Sequence, residues 1–214
     1  LHDALPIYCS TATVTITVEA PAIVAIDDSI GPVNGGSGNP NVGNVLDGDG
    51  TPEATAFYIH ARLHKQLPRV KVAFHTHMPH ATALCLLQGP PLLWLGQTAL
   101  KFYGRTAVDE HYNGLALDES EGDRIASVMG NADVLFLKNH GVIVAGPTIA
   151  EAWDDLYYLE RAAQVQLLAM ATQRQLKPLP HAIAQRAYEQ MREGDTQSAR
   201  AHLHSAMRRL ALHN

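Results

Sequence analysis

From Thr51 onward the sequence predicts an α/β protein, and three observations carry that reading. The apolar period switches along the chain: residues 70–76 (VKVAFHT) alternate as a strand does, whereas residues 55–66 (TAFYIHARLHKQ) repeat at helical spacing. Asp118-Glu-Ser-Glu121 and Thr148-Ile-Ala-Glu151 are capping boxes, which mark helix starts. Two apolar runs, residues 133–138 and 142–145, flank Asn139-His140-Gly141, a hairpin signal.

Taken in order, the first helix places Ala56, Phe57, Ile59 and Leu63 at helical spacing and is stopped by Pro68. The strand at 70–76 follows, and after Pro79 residues 81–87 read as a short helix. The helix opened at Asp118 stops at Gly130, a favourable residue past a helix end. The helix opened at Thr148 directs Ala152, Trp153, Leu156, Leu159, Ala163 and Leu167 toward a core and must end before Lys177-Pro178. Residues 182–212 form a helical tail of two segments that divide near Gly194.

Residues 1–50 read differently. TATVTITVEAPAIVA (11–25) is rich in Val, Thr and Ile, and Asp- and Gly-rich loops follow it up to NVLDGDG. TVTITVEAPAIVAIDDSIGPVNGGSGNPNVGNVLDGDG resembles one end of an immunoglobulin-like or cadherin-like repeat of bacterial adhesins. LHDALPIY reads as translated sequencing-adapter sequence. The expected division is therefore a chimeric or artefactual segment at 1–50, packing poorly on the rest, and a functional domain at 51–214. The alternative is a divergent β-rich N-terminus that belongs to that domain.

The chain has 214 residues, enough for one domain with a small second piece. A net charge of −5 excludes a broad basic surface for nucleic acid. Gln88-Gly89-Pro90-Pro91 interrupts the most apolar stretch, so no membrane span is expected. The N-terminus lacks a signal-peptide pattern, and two cysteines fit a reducing, cytoplasmic compartment.

Twelve histidines stand out, but chance alone gives about one pair spaced by two. There are two such pairs, and context separates them. His202 and His204 lie in a helical pattern, where such neighbours point apart. His75 and His77 lie at a strand end, where they share a face with Cα atoms about 7 Å apart and can converge on one ion. His140, in the turn, is the candidate third ligand; local capping is its other reading. His60 and His64 share a helix face but lack the glutamate of a zinc-protease motif. His60 fits better behind the site, orienting a ligand. His80 reads as a rim residue, and His111, His181 and His213 carry no pattern.

VAFHTHMPHATAL (72–84) followed by VLFLKNHGVIVAGPTIAEAW (134–153) resembles the two signature blocks of the class II aldolase/adducin family. Phe102-Tyr103-Gly104 and the helix at 118–125 are similar to intervening family features. The resemblance implies a three-layer α/β/α fold with a largely antiparallel central sheet, metal ligands His75, His77 and His140, and a homo-oligomer, a tetramer in the family, with sites at subunit interfaces. Zn²⁺ is the expected ion and Fe²⁺ the alternative, since three imidazoles do not choose between them.

Two departures from the family qualify the chemistry. The sugar-phosphate aldolases carry an acid/base glutamate four residues before the histidine that matches His60, and here that position is Ala56. Glu53 is a candidate replacement, three residues too early. The family's first third, with its phosphate-holding loops, is expected to be missing, so the domain reads as N-terminally truncated. The Thr55 hydroxyl is a candidate phosphate contact or a plain helix cap. The expected function is a metal-dependent lyase or decarboxylase acting on a small hydroxy- or keto-carbonyl substrate. A non-catalytic adducin-like interaction module is the alternative.

Overall fold

A computed structural model describes residues 54–211. Its elements run α1 (Ala54–Gln66), β1 (Val72–Thr76), α2 (Pro79–Cys85), α3 (Gln97–Leu100), β2 (Thr106–Asp109), α4 (Glu119–Met129), β3 (Val134–Leu137), β4 (Gly141–Gly146), α5 (Ile149–Ala171), α6 (His181–Arg192) and α7 (Asp195–Ala211). The four strands form one sheet in the order β1-β4-β3-β2. β1 with β4 and β3 with β4 pair antiparallel, and β2 joins the edge parallel to β3. The expected largely antiparallel sheet is thus present, with a parallel edge strand.

Alternation along the strands divides the core into two layers. Val134, Phe136, Val142 and Val144 pack with Ala81 and Leu84 of α2, Ala99 of α3 and Leu159, Ala162 and Ala163 of α5. Leu135, Leu137, Ile143 and Ala145 face the other way, against Ile59 and Leu63 of α1 and Ile125, Ala126 and Met129 of α4. Helices therefore cover both faces of the sheet, the three-layer arrangement expected. Each fully buried Val, Leu, Ile, Phe or Met side chain among these contributes about 1.5–3 kcal/mol.

The caps sit where the sequence predicts them. Asp118 accepts from the Glu121 N–H at the start of α4, and Gly130 closes that helix with φ 50°. The Thr148 hydroxyl accepts from the Glu151 N–H and itself donates to Glu151 Oε2. α1 and α4 approach so closely that a Cβ on Gly122 would stand 2.5 Å from the Tyr58 carbonyl oxygen. Arg62 of α1 bridges to Asp123 through two bonds and to Glu119 through a third.

Sequence reading did not find β2 or α3. Each has only four residues, too few for a period to emerge. α7 folds back onto α5 while α6 lies against α3: Lys101 meets Asp154, Asp155 and Asp195 at 3.0, 3.3 and 2.5 Å, and the Thr196 hydroxyl donates to Glu151. Among the described residues, no helix is long and apolar enough to cross a membrane.

Candidate metal centre

The site forms where two strand ends meet. His75 is the penultimate residue of β1, paired with Ile143, and therefore faces the α1/α4 layer; His77 lies just past the strand. His140 closes the turn between β3 and β4, where Asn139 takes φ 59°, a left-handed conformation that Asn tolerates better than most residues. The turn is anchored from three sides. The His140 N–H donates to the Leu137 carbonyl, the Asn139 N–H to the Cys85 carbonyl and the Lys138 N–H to the Asp109 carbonyl. The Lys138 ammonium donates to the carbonyls of Leu87 and Gly89, both at 2.6 Å.

Position 141 admits only glycine for reasons of space. A Cβ there would stand 2.5 Å from His77 Cδ2 and 2.6 Å from the Thr76 carbonyl oxygen. The missing side chain lets the His77 ring lie across the start of β4.

The three imidazoles come together. One ring nitrogen from each of His75, His77 and His140 lies within 4.8 Å of the others. The Nε2 atoms of His75 and His140 are 3.3 Å apart. Two ligands at about 2.05 Å from a tetrahedral ion are themselves about 3.3 Å apart, so this spacing fits a shared ion.

The donor set is also chemically prepared. His75 Nδ1 lies 3.1 Å from the Val142 carbonyl, which can only accept. That bond fixes the tautomer with the proton on Nδ1 and leaves the Nε2 lone pair facing the cluster. Burial, followed by the neighbouring His140, pushes His75 down to about 3, and burial and His77 lower His140. Neutral imidazole is the form that binds metal. The residues present thus fit a divalent ion.

The other sequence candidates divide. Thr55 and Ala56 lie within α1, so Thr55 is not that helix's N-cap. Glu53 and the whole 1–50 segment lie outside the described residues. His60 is pushed down to about 4 by burial and then by His64, and its proximity contributes to lowering His75. The bond that orients His75 comes from the Val142 carbonyl and not from His60. His64 Nδ1 lies 3.1 Å from the Val70 carbonyl. His80 is half exposed, and its Nδ1 lies 2.6 Å from Glu160 Oε1. Glu160 also accepts the His80 and Ala81 N–H groups, so a carboxylate of α5 caps α2. His202 pairs with Asp154 at 2.7 Å, while His204 is exposed.

Sequence reasoning missed Tyr112, whose ring centre is 5.9 Å from that of His140. It also missed the Asp109–Arg124 pair beneath, where Arg124 donates to both Asp109 oxygens at 2.9 and 2.7 Å. No period or motif marks these residues, which a loop and a helix bring together.

Comparison with known proteins agrees with the geometry. The family model described as "Class II Aldolase and Adducin N-terminal domain" matches residues 22–167, and so begins within the segment whose composition reads as adhesin-like. A 4-hydroxy-3-prenylphenylpyruvate oxygenase/4-hydroxy-3-prenylbenzoate synthase of Streptomyces roseochromogenus subsp. oscitans is 33% identical over 150 residues, 69% of this chain and 52% of that protein. An adducin-related protein of Schizosaccharomyces pombe is 33% identical over 116 residues, 54% of this chain and 35% of that protein. The chain thus spans about half or less of the length of these relatives. An aldolase II superfamily protein from Pseudomonas syringae has a similar structure, with a TM-score of 0.69 and 27% identity, covering 76% of this chain and 65% of that one. With its signature blocks, its two-faced sheet and a family match across most of its length, this chain belongs to the class II aldolase and adducin N-terminal domain family.

Proposed function

We propose that this chain is a metal-dependent lyase or decarboxylase that acts on a small hydroxy- or keto-carbonyl substrate, with His75, His77 and His140 as the ligands of a divalent ion. The observation that carries the reading is the convergence of three ring nitrogens within 4.8 Å, one of them fixed in its metal-binding tautomer by a backbone carbonyl. A divalent ion held there supplies Lewis acidity toward a hydroxy or keto oxygen. The chain's own residues supply orientation. Val142 holds His75, Gly141 makes room for His77, and the turn's anchors hold His140.

Zn²⁺ is the first reading of the ion. Fe²⁺, used with oxygen in an oxidative decarboxylation, is the second, and it is supported by the relative named as an oxygenase and by Ala56 in place of an acid/base glutamate. We also read the active protein as a cytoplasmic homo-oligomer.

The test is metal titration of the full metal-free chain with Zn²⁺ and, anaerobically, Fe²⁺, followed by turnover of hydroxy-ketone phosphates and aromatic α-keto acids. One ion per chain is expected, with tight binding abolished in His140→Ala. Aldol cleavage is expected to be weak and to rise about 10²-fold or more in Ala56→Glu, since a positioned acid/base group contributes about 10²–10⁴. Strong cleavage by the parent that Glu53→Gln destroys would move the carboxylate role to Glu53. Bound metal with no turnover would support the adducin-like interaction module. A chain that binds no metal would sink the proposal.

A further inference from the structure

Tyr112 lies in the segment between β2 and α4 and keeps 49% of its surface exposed. An exposed tyrosine on a loop is ordinarily free to swing away, but here both chain neighbours are tied down. The His111 N–H donates to Asp109 Oδ1 at 3.1 Å, and the His111 carbonyl accepts from Arg124 at 3.3 Å. Asn113 Nδ2 donates to Glu121 at 3.2 Å. Asp109, which anchors this arrangement, is buried at the end of β2 and holds Arg124 through two bonds. The ring of Tyr112 is therefore presented from a fixed backbone, tilted 57° to the His140 ring at 5.9 Å.

Asp109, Glu121, Arg124 and Lys138, which surround it, are already engaged. A cavity of about 10 Å³, room for roughly one water, is lined by Asp109, Tyr112, Glu121, Arg124, Lys138 and His140 among others. Its two cations are engaged: Arg124 by Asp109 and Glu121, Lys138 by the carbonyls of Leu87 and Gly89. A phosphate on this side would have to displace an existing partner. Beside the exposed His111, the half-open aromatic face is what remains for a substrate to meet.

We propose that Tyr112 is a specificity-determining residue of the triad site, its ring forming the wall against which an aromatic substituent of the carbonyl substrate packs. The inference rests on the metal-dependent carbonyl reading above and names the substrate class it favours: α-keto or α-hydroxy acids carrying an aryl group. Offset or edge-on aromatic pairs add to the area they bury, enough for a preference of about 3- to 10-fold over a methyl-bearing analogue.

The test uses the full chain loaded with Co²⁺, whose visible absorption reports both the ion and anything that binds beside it. Phenylpyruvate, pyruvate and dihydroxyacetone phosphate are titrated separately against the parent, Tyr112→Phe and Tyr112→Ala. The parent is expected to bind phenylpyruvate about 3- to 10-fold more tightly than pyruvate. Tyr112→Phe keeps that ratio, which assigns it to the ring and not the hydroxyl. Tyr112→Ala brings the ratio to about 1 while its Co²⁺ affinity stays at the parental value. Bound Co²⁺ with no aryl preference in the parent, or a preference unchanged in Tyr112→Ala, overturns the inference alone. Tighter binding of dihydroxyacetone phosphate than of phenylpyruvate also overturns it. Failure of the parent to take up Co²⁺ overturns both this inference and the metal-dependent reading.

Discussion

Replacing Gly141 with Ala perturbs the site without touching a ligand. The added Cβ would stand 2.5 Å from His77 Cδ2 and 2.6 Å from the Thr76 carbonyl oxygen. Carbon atoms in contact ordinarily sit about 3.5–4.0 Å apart, so the His77 ring must retreat by about 1 Å. Metal–ligand distances tolerate only about 0.2 Å, so a displacement of that size takes His77 out of coordinating reach. The expected result is a fall in metal affinity of at least about 10–100-fold, the range seen when a supporting group is disturbed. Overpacking should destabilise the metal-free chain by about 1–3 kcal/mol, because the second neighbour is backbone and cannot swing aside. For a domain of this size that lowers Tm by about 3–10 °C. Competition titration of Zn²⁺ against a chromogenic chelator reads the affinity, and calorimetry of the metal-free chain reads the stability. The double variant His77→Ala/Gly141→Ala should recover part of the lost Tm and none of the metal affinity. Parental Zn²⁺ affinity in Gly141→Ala would refute the reasoning, since the His77 ring would then not need the space at 141.

Three further outcomes follow from packing and boundaries. Lys101→Met leaves Asp154, Asp155 and Asp195 without the cation they share; with side-chain exposures of 4% for the first two, the expected loss is about 3–5 kcal/mol by denaturant titration. Arg105 still holds Asp155, so a value near the lower end is expected. Removing residues 1–21, which precede the family match, should leave Tm and metal binding unchanged. Removing residues 1–50 decides the domain boundary: unchanged Tm keeps the start at Thr51, and loss of cooperative unfolding moves it back toward residue 22.

The convergence of the three histidines was legible because each obeys a local rule. His75 and His77 sit two apart at a strand end, and the Asn139-His140-Gly141 turn joins two apolar runs whose pairing needs a tight reversal. The helix starts at Asp118 and Thr148 were legible for the same reason, since a cap is a contact over three residues. What sequence could not supply were contacts made across the fold. Glu160 caps α2 from 79 residues away, and Arg124 reaches back 15 residues to Asp109. The His75 orienting group is a carbonyl 67 residues distant, which no side-chain motif records. β2 is stabilised by its place beside β3 and not by its own pattern, so four residues at an edge gave no signal.

The bond from His75 to the Val142 carbonyl has an evolutionary corollary. The acceptor is backbone, so any residue that keeps the strand at position 142 keeps it, and the orientation of His75 survives drift at that position. The liability is concentrated in the three imidazoles themselves. On the proposed reading, a single substitution at His75, His77 or His140 ends metal chemistry while leaving the sheet, its helices and the turn as they are. A lineage could thus retire the proposed reaction in one step and retain an intact scaffold for another use, with the carbonyl at 142 left as the trace of what it aligned.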